Sequence, residues 1–375
     1  MLSIRWQSLG LLALGLVLLV TLLWSERVTG IAAGVALFLF GMGLLEQGMK
    51  GLTEGRLGSA LGRLTDGPGK SVVFGFLSTA VMQSSSLVSL LTISLVSAQM
   101  ISLVAGIGVV LGTNLGTTTG AWLLAGPGLR LSISAYALPL LVLGVVLKLS
   151  ADAWLHHTGR ILLGIGFLFL GIAGMQTGFQ GLEAGVAPGL PGADGLPGLL
   201  LAVVTGMVLT VLLQSSHATL MLILAALASG QLDYEQALGL AIGANLGTTV
   251  TATLASLGAH GSGKRLAAAH VLFNAVTALV AVALLDPLRL LVDVLAGLLL
   301  LPEGDPLFRL ALFHTVFNAL GLLLFLPFIR QFARQLERWL PFETGRTAQP
   351  LFLHRTATRV PSVAIAAARN EIQHL

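Results

Sequence analysis

The sequence predicts an all-α polytopic membrane protein made of two inverted-topology repeats, each with three spans and one re-entrant helical hairpin, plus flanking helices. Three observations predict this. First, of 375 residues 55% are hydrophobic and only 10% are charged, with a mean hydropathy of +0.92. A soluble domain carries roughly 25% charged residues, so this chain cannot coat itself for water, which excludes a soluble enzyme, a disordered chain and a nucleic-acid binder. Second, apolar stretches near the roughly 20 residues that cross a bilayer recur along the chain. Third, two polar motifs recur at one offset. Thr79-x-x-x-Gln83-Ser84-Ser85 returns as Thr210-x-x-x-Gln214-Ser215-Ser216, and Gly112-Thr113-Asn114-Leu115-Gly116-Thr117-Thr118 returns as Gly243-Ala244-Asn245-Leu246-Gly247-Thr248-Thr249, each 131 residues on.

The elements follow in order. Residues 1–27 hold a first span at 8–24, long for a signal peptide and without a small-x-small cleavage site. Repeat 1, 28–157, holds the apolar stretches 28–46, 71–97, 101–126 and 131–148; repeat 2, 158–284, holds 161–178, 200–228, 236–258 and 266–284. In 285–328 the stretch 288–301 is short and carries Arg289 and Asp293, so it suits an external interfacial segment before a last span at 309–328. Residues 329–375 form a basic cytoplasmic tail, whose seven Arg and three Glu account for the whole net charge of +4. The chain has no cysteine, so thiol catalysis and disulfides are excluded.

Orientation follows from loop charge. Loop 47–70 carries Lys50, Arg56, Arg63 and Lys70, while its counterpart 179–199 carries Glu183 and Asp194 and no basic residue. The positive-inside rule places the first in the cytoplasm and the second outside. Equivalent loops on opposite faces make the halves inverted and require an odd number of spans in each. With four apolar stretches per half, one must enter and leave on the same side. The Gln-Ser-Ser stretches 71–97 and 200–228, polar near their middle, are the candidates. The acidic Asp233/Glu235 loop then falls outside, the Lys264/Arg265 loop inside, and both termini in the cytoplasm, in a multi-pass protein of the cell (inner) membrane.

Irregular backbone at membrane depth survives only around protein or a water-filled cavity. Its half-helix N-termini attract anions and its carbonyls attract small cations. Gly112, Gly116, Gly243 and Gly247 permit unwinding or close approach. Asn, Gln, Ser and Thr supply neutral oxygens. The four motifs together would line a pocket without fixed charge, fitted to Na⁺, to an oxyanion, or to both. For one such cluster, simple close packing of helices would be the better account; four motifs at one offset favour a site. The expected substrate-binding residues are Ser84, Ser85, Ser86, Ser215 and Ser216. The expected Na⁺ ligands are Gln83, Asn114, Thr117, Thr118, Gln214, Asn245, Thr248 and Thr249. No metal beyond sodium is expected. His217 beside Ser216 does not make a hydrolase: adjacent helical residues diverge by about 100° and no Gly-x-Ser-x-Gly is present. His270 and His314 suit helix–helix hydrogen bonds better than metal ligation. Glu46 is expected at the cytoplasmic end of its span, solvated.

These residues resemble the type II sodium/phosphate cotransporter family over about residues 28–328. The resemblance rests on the duplicated Gln-Ser-Ser-Ser signature, here Gln83-Ser84-Ser85-Ser86 and Gln214-Ser215-Ser216-His217, the second departing at His217. It rests also on the two Gly-x-Asn-Leu-Gly-Thr-Thr motifs, and more weakly on His270-x-x-Phe273-Asn274 and its echo His314-x-x-Phe317-Asn318. Where some relatives carry His-x-x-Phe-Asn after the first Gly-Thr-Thr, this chain reads Ala135-Tyr136-Ala137-Leu138-Pro139. The resemblance implies Na⁺-coupled transport of inorganic phosphate by alternating access, with sodium as a co-transported ligand and no cofactor. It also implies a PhoU-like domain or partner at the cytoplasmic tail, where 364–375 has the pattern of a helix start; a homodimer is a further expectation. The competing readings are another oxyanion, phosphate export, a channel, and a membrane sensor acting through its tail. Channels are usually symmetric oligomers, whereas inverted halves in one chain favour alternating access.

Overall fold

The computed structural model describes residues 25–53, 67–123, 125–126, 133–180, 195–259, 261–341, 352 and 361–374. The expected first span at 8–24 and most of the two loops that set the orientation lie outside these. Among the described residues there are helices and turns and no strand. The helices are α1 (Glu26–Thr53), α2 (Pro68–Met82), α3 (Ser85–Ser97), α4 (Leu103–Leu123), α5 (Ile133–Lys148), α6 (Ala153–Gln180), α7 (Gly195–Leu213), α8 (Ser216–Ala228), α9 (Tyr234–Ser256), α10 (Gly261–Ala283), α11 (Leu285–Leu298), α12 (Pro306–Phe325), α13 (Ile329–Trp339) and α14 (Pro361–His374). Seven segments are long and apolar enough to cross a membrane: α1, α4, α6, α7, α9, α10 and the α12–α13 run. The chain is therefore an all-α, multi-pass membrane protein.

Glycine sets the packing. In lipid, helices gain little from the hydrophobic effect and associate where small residues let backbones approach. On α1 and α6 glycines recur every seven residues, at 34, 41 and 48 and at 164, 171 and 178, which keeps them on one face. A Cβ on Gly34 would sit 2.7 Å from the Gly171 carbonyl, and one on Gly164 would sit 2.8 Å from the Gly41 carbonyl. Numbers rise along one helix as they fall along the other, so α1 and α6 are antiparallel. Adding 130 to one partner and subtracting it from the other turns the first contact into the second. The two repeats' leading helices thus meet through the same pair of positions taken in exchange, as across a two-fold axis.

The same economy seats each broken stretch on its neighbour. α2 lies on α4 where Gly75 meets the Val109 carbonyl and Gly112 meets the Val72 carbonyl; α7 lies on α9 where Gly206 meets the Leu240 carbonyl and Gly243 meets the Val203 carbonyl. All four pairs correspond at the offset of 131. Along α4, Gly108, Gly112, Gly116 and Gly120 meet Pro68, Val72, Phe76 and Gln83 in turn, and along α9, Gly239, Gly243 and Gly247 meet Leu199, Val203 and Met207, so α2 runs parallel to α4, and α7 to α9. Gln83 at the far end of α2 is level with Gly120, while Val96 near the end of α3 is level with Gly106. α3 therefore folds back along α4, and α2–α3 is a helical hairpin. Its arms have 15 and 13 residues; α7, with 19, is the long arm of the second pair. The Gly-x-Asn motifs do not unwind. α4 and α9 run helical straight through them, and their glycines serve close approach alone.

The last helices show where sequence pairing and spatial pairing part. The stretch at 131–148 becomes α5, which packs on α6 at the periphery. The place that α10 takes against α9, α3 and α4 is taken, with the halves exchanged, by α12 against α4, α8 and α9. α5 lacks the His and Asn that both α10 and α12 carry. The two core clusters divide the molecule by end and by charge. One gathers the base of the α2–α3 hairpin with Leu266, α13 and α14, near Lys70, Arg265, Arg330 and Arg334. The other gathers the base of the α7–α8 pair with α11 and the start of α12, near Asp233, Glu235, Asp293 and Glu303. There Arg289 pairs with Glu235 at 3.1 Å and Arg309 with Asp293 at 3.4 Å. α11 is amphipathic, burying Leu285, Leu288, Val292 and Ala296.

Candidate oxyanion and cation site

The site begins at the two breaks. Gln83 ends α2 in the left-handed region at φ 52°, and Gln214 ends α7 at φ 54°. Neither is glycine, so each turn carries a small conformational cost of the kind that clusters at functional sites. The next residue caps the following helix: the Ser84 hydroxyl accepts the Leu87 N–H at 3.3 Å, and the Ser215 hydroxyl accepts the Ala218 N–H at 3.2 Å. Ser85 and Ser216 then open α3 and α8, where the first N–H groups of a helix have no intrahelical acceptor. Gln83 also reaches across to α4, its Nε2 donating to Thr119 Oγ1 at 3.0 Å. Gln214 bonds only its own helix, to the Val211 carbonyl, because Val250 stands where Thr119 stands in the first half. Glu46 is half-buried beside the Ser84 hydroxyl rather than solvated. Its counterpart at 130 is Gln176, so the acid is on one side only. An acidic residue in an apolar helix was the signal available in the sequence.

The threonines of α4 and α9 are disposed differently from the hairpin serines. Thr117 donates to the Asn114 carbonyl at 2.6 Å, Thr118 to Leu115 at 2.8 Å, Thr248 to Asn245 at 2.6 Å and Thr249 to Leu246 at 2.7 Å. A hydroxyl has one hydrogen; once that is given to the helix backbone, only the oxygen lone pairs remain to offer. These oxygens can face a cation and cannot donate to an anion. Ser85 and Ser86 make no hydrogen bond among the described residues and keep their donors.

The motif asparagines tie the halves together. Asn114 donates to Asn274 Oδ1 at 2.7 Å, and Asn245 donates to Asn318 Oδ1 at 2.7 Å. Asn274 and Asn318 each donate back to the carbonyl of the histidine four residues earlier, at 3.0 and 2.8 Å. His314 Nε2 lies 3.1 Å from Asn245 Oδ1. The second asparagine of each pair belongs to a His-x-x-Phe-Asn motif, so those motifs complete the central polar layer. Their spacing of 44 did not reveal it, because the partners lie on helices far apart in the chain.

The hairpin tips meet on α4. A Cβ on Gly120 would lie 2.7 Å from the His217 ring and 3.1 Å from Gln83 Oε1, so the first hairpin's glutamine and the second hairpin's histidine share that one position. Across from them, Ser85, Ser86, Ser89, Thr248, Thr251 and His270 line a cavity of about 180 Å³ between α3, α9 and α10. Of the expected residues, Ser85, Ser86 and Thr248 share this cavity; Gln83 and Thr117 lie by His217 on α4; Ser84 and Ser215 act as caps; Asn114 and Asn245 are engaged by α10 and α12. Among the described residues no cluster of His, Asp or Glu could hold a metal ion.

The sequence model described as Na⁺/Pi-cotransporter matches residues 37–177 and 197–304. The chain is 30% identical over 311 residues to "Uncharacterized protein YqeW" of Bacillus subtilis (strain 168), covering 82% of this chain and 96% of that one. It is 25% identical over 354 residues to "Putative inorganic phosphate export protein YjbB" of Salmonella typhimurium, covering 91% of this chain, and 26% identical over 342 residues to the Escherichia coli (strain K12) protein of the same name. The matched region spans 61% of each of these two YjbB proteins. No solved structure matches the chain.

Proposed function

This chain belongs to the Na⁺/Pi-cotransporter family, and we propose that it moves inorganic phosphate across the membrane coupled to Na⁺, by alternating access of two inverted halves. The observation that carries the proposal is the division of labour at the polar layer. Ser85, Ser86 and the half-helix N–H groups keep their donors for an oxyanion, and the threonine oxygens of α4 and α9 offer only lone pairs, as a cation requires. The exchange of the α1 and α6 contacts supports the inversion, and the fold-back of α2–α3 supports a hairpin that enters and leaves on one side. Among the described residues no Arg or Lys lines the cavity. A Na⁺ about 4 Å from the phosphate would then supply about 4 kcal/mol at an effective dielectric near 20. By linkage, each ligand tightens the other. The test is ³²P-phosphate flux in proteoliposomes with a Na⁺ gradient imposed in either direction. Flux that follows the gradient is expected; flux indifferent to Na⁺ would reject the coupling.

A second reading concerns direction. The name of the YjbB relatives describes export. The same symmetric scaffold could discharge phosphate from the cytoplasm, with the sign set by the ion gradient. Phosphate retention in cells that overproduce the chain, measured at high internal phosphate, separates the two: export lowers it and uptake raises it.

A further inference from the structure

The two halves match at the turns and long arms of their hairpins and differ beside the hairpin tips, where the asymmetry is chemical. At the offset of 131, Ser86 corresponds to His217 and Thr251 to Gly120. In place, His270 on α10 corresponds to His314 on α12. Beside the first hairpin, Ser86, Thr251 and His270 surround open space. Beside the second, the larger His217 ring lies over Gly120, where only a glycine leaves room for it. His217 bonds the Thr117 backbone and His314 bonds Asn245, so each of these rings has one nitrogen engaged by the protein. His270 is equally buried, at 5% exposure, and among the described residues neither of its ring nitrogens has a partner. Its ring stacks on Phe273 at 5.6 Å and 23°, which fixes its plane. A buried imidazole with both nitrogens unpaired forfeits hydrogen bonds it had in water, a cost native structures rarely leave unexplained.

We propose that His270 donates a ring N–H directly to the oxyanion held in the Ser85–Ser86 cavity. The inference rests on the phosphate reading above and adds a binding residue to it. A neutral imidazole always carries one N–H donor, whichever tautomer is present. Ser85, Ser86 and the N-terminal N–H groups of α3 supply further donors on the other side of the cavity.

The experiment is equilibrium ³²P-phosphate binding to the full chain, purified in detergent with saturating Na⁺. His270→Ala should weaken phosphate affinity about 10- to 150-fold, the range for a hydrogen bond to a charged group. His270→Gln, which keeps an N–H donor, should fall between. His156→Ala, at the start of α6 and outside the polar layer, should leave phosphate affinity within about twofold. A measurement on the unaltered chain guards against misfolded variants: phosphate should slow carbethoxylation of His270 by diethyl pyrocarbonate, followed by peptide mass spectrometry. If the unaltered chain binds phosphate while His270→Ala binds it as tightly, or if phosphate gives His270 no protection, the role of His270 is overturned and the phosphate reading stands. If the unaltered chain binds no phosphate at any Na⁺ concentration, both fall together.

Discussion

At the scale of single residues, the same side-chain type does different jobs according to where its one hydrogen goes. Ser84 and Ser215 belong to the repeated signature and look equivalent to the serines after them, yet their oxygens accept helix N–H groups and stabilise the start of α3 and α8. Replacing such a cap by alanine costs about 1 kcal/mol, and by glycine only a few tenths. Ser215→Ala should therefore lower the thermal unfolding midpoint in detergent measurably more than Ser215→Gly. Equal effects would show that Ser215 contributes something other than a cap. Part of this polar layer was legible in the sequence: the repeated motifs pointed to the hydroxyls and amides that gather in it. Which hydroxyl donates to backbone and which stays available depends on helix register and capping. The partners of Asn114 and Asn245 lie 160 and 73 residues away, beyond any local pattern.

Among the elements, glycine decides how closely the hairpin long arms sit on α4 and α9. A Cβ on Gly112 would run into the Val72 carbonyl, and one on Gly243 into the Val203 carbonyl, both rigid backbone. Overpacking of this kind costs typically 1–3 kcal/mol and more where nothing can give. Gly112→Ala and Gly243→Ala should each lose several degrees of unfolding midpoint and most transport. Gly43→Ala, on the face of α1 with nothing within 4 Å, should be neutral or slightly stabilising, since alanine favours a helix by about 1 kcal/mol over glycine. A stable Gly112→Ala protein would show that α2 and α4 do not pack as described. The expectation that the Gly-x-Asn stretches unwind came from composition, since glycine permits both unwinding and close approach. The continuous helices chose the second, because a neighbouring backbone already occupies the space each glycine leaves.

For the whole molecule, charge is sorted between two ends. The hairpin base near Lys70 shares its end with Arg265 and the Arg330/Arg334 face of α13, while Glu303 and the Arg289–Glu235 pair mark the other. With the basic end in the cytoplasm, a maleimide unable to cross the membrane should label Glu303→Cys on intact cells and Lys70→Cys only after permeabilisation. Labelling of both from outside would refute the two-sided arrangement and with it the inverted repeats.

The sequence by itself determined the class of this protein, the duplication and the places where two helices break. Those follow from composition, from period and from local turn chemistry, all written in neighbouring residues. Only the tertiary structure decided that α12, and not α5, answers α10 across the pseudo-symmetry. That choice rests on which helix offers an asparagine and small residues to α4 and α9, a matter of contact between segments far apart in the chain. Only the tertiary structure, too, made the two halves unequal at the cavity. Ser86 and His217 differ by one side chain in the sequence, and the difference becomes a cavity between Ser86 and Thr251 on one side and a ring packed over Gly120 on the other.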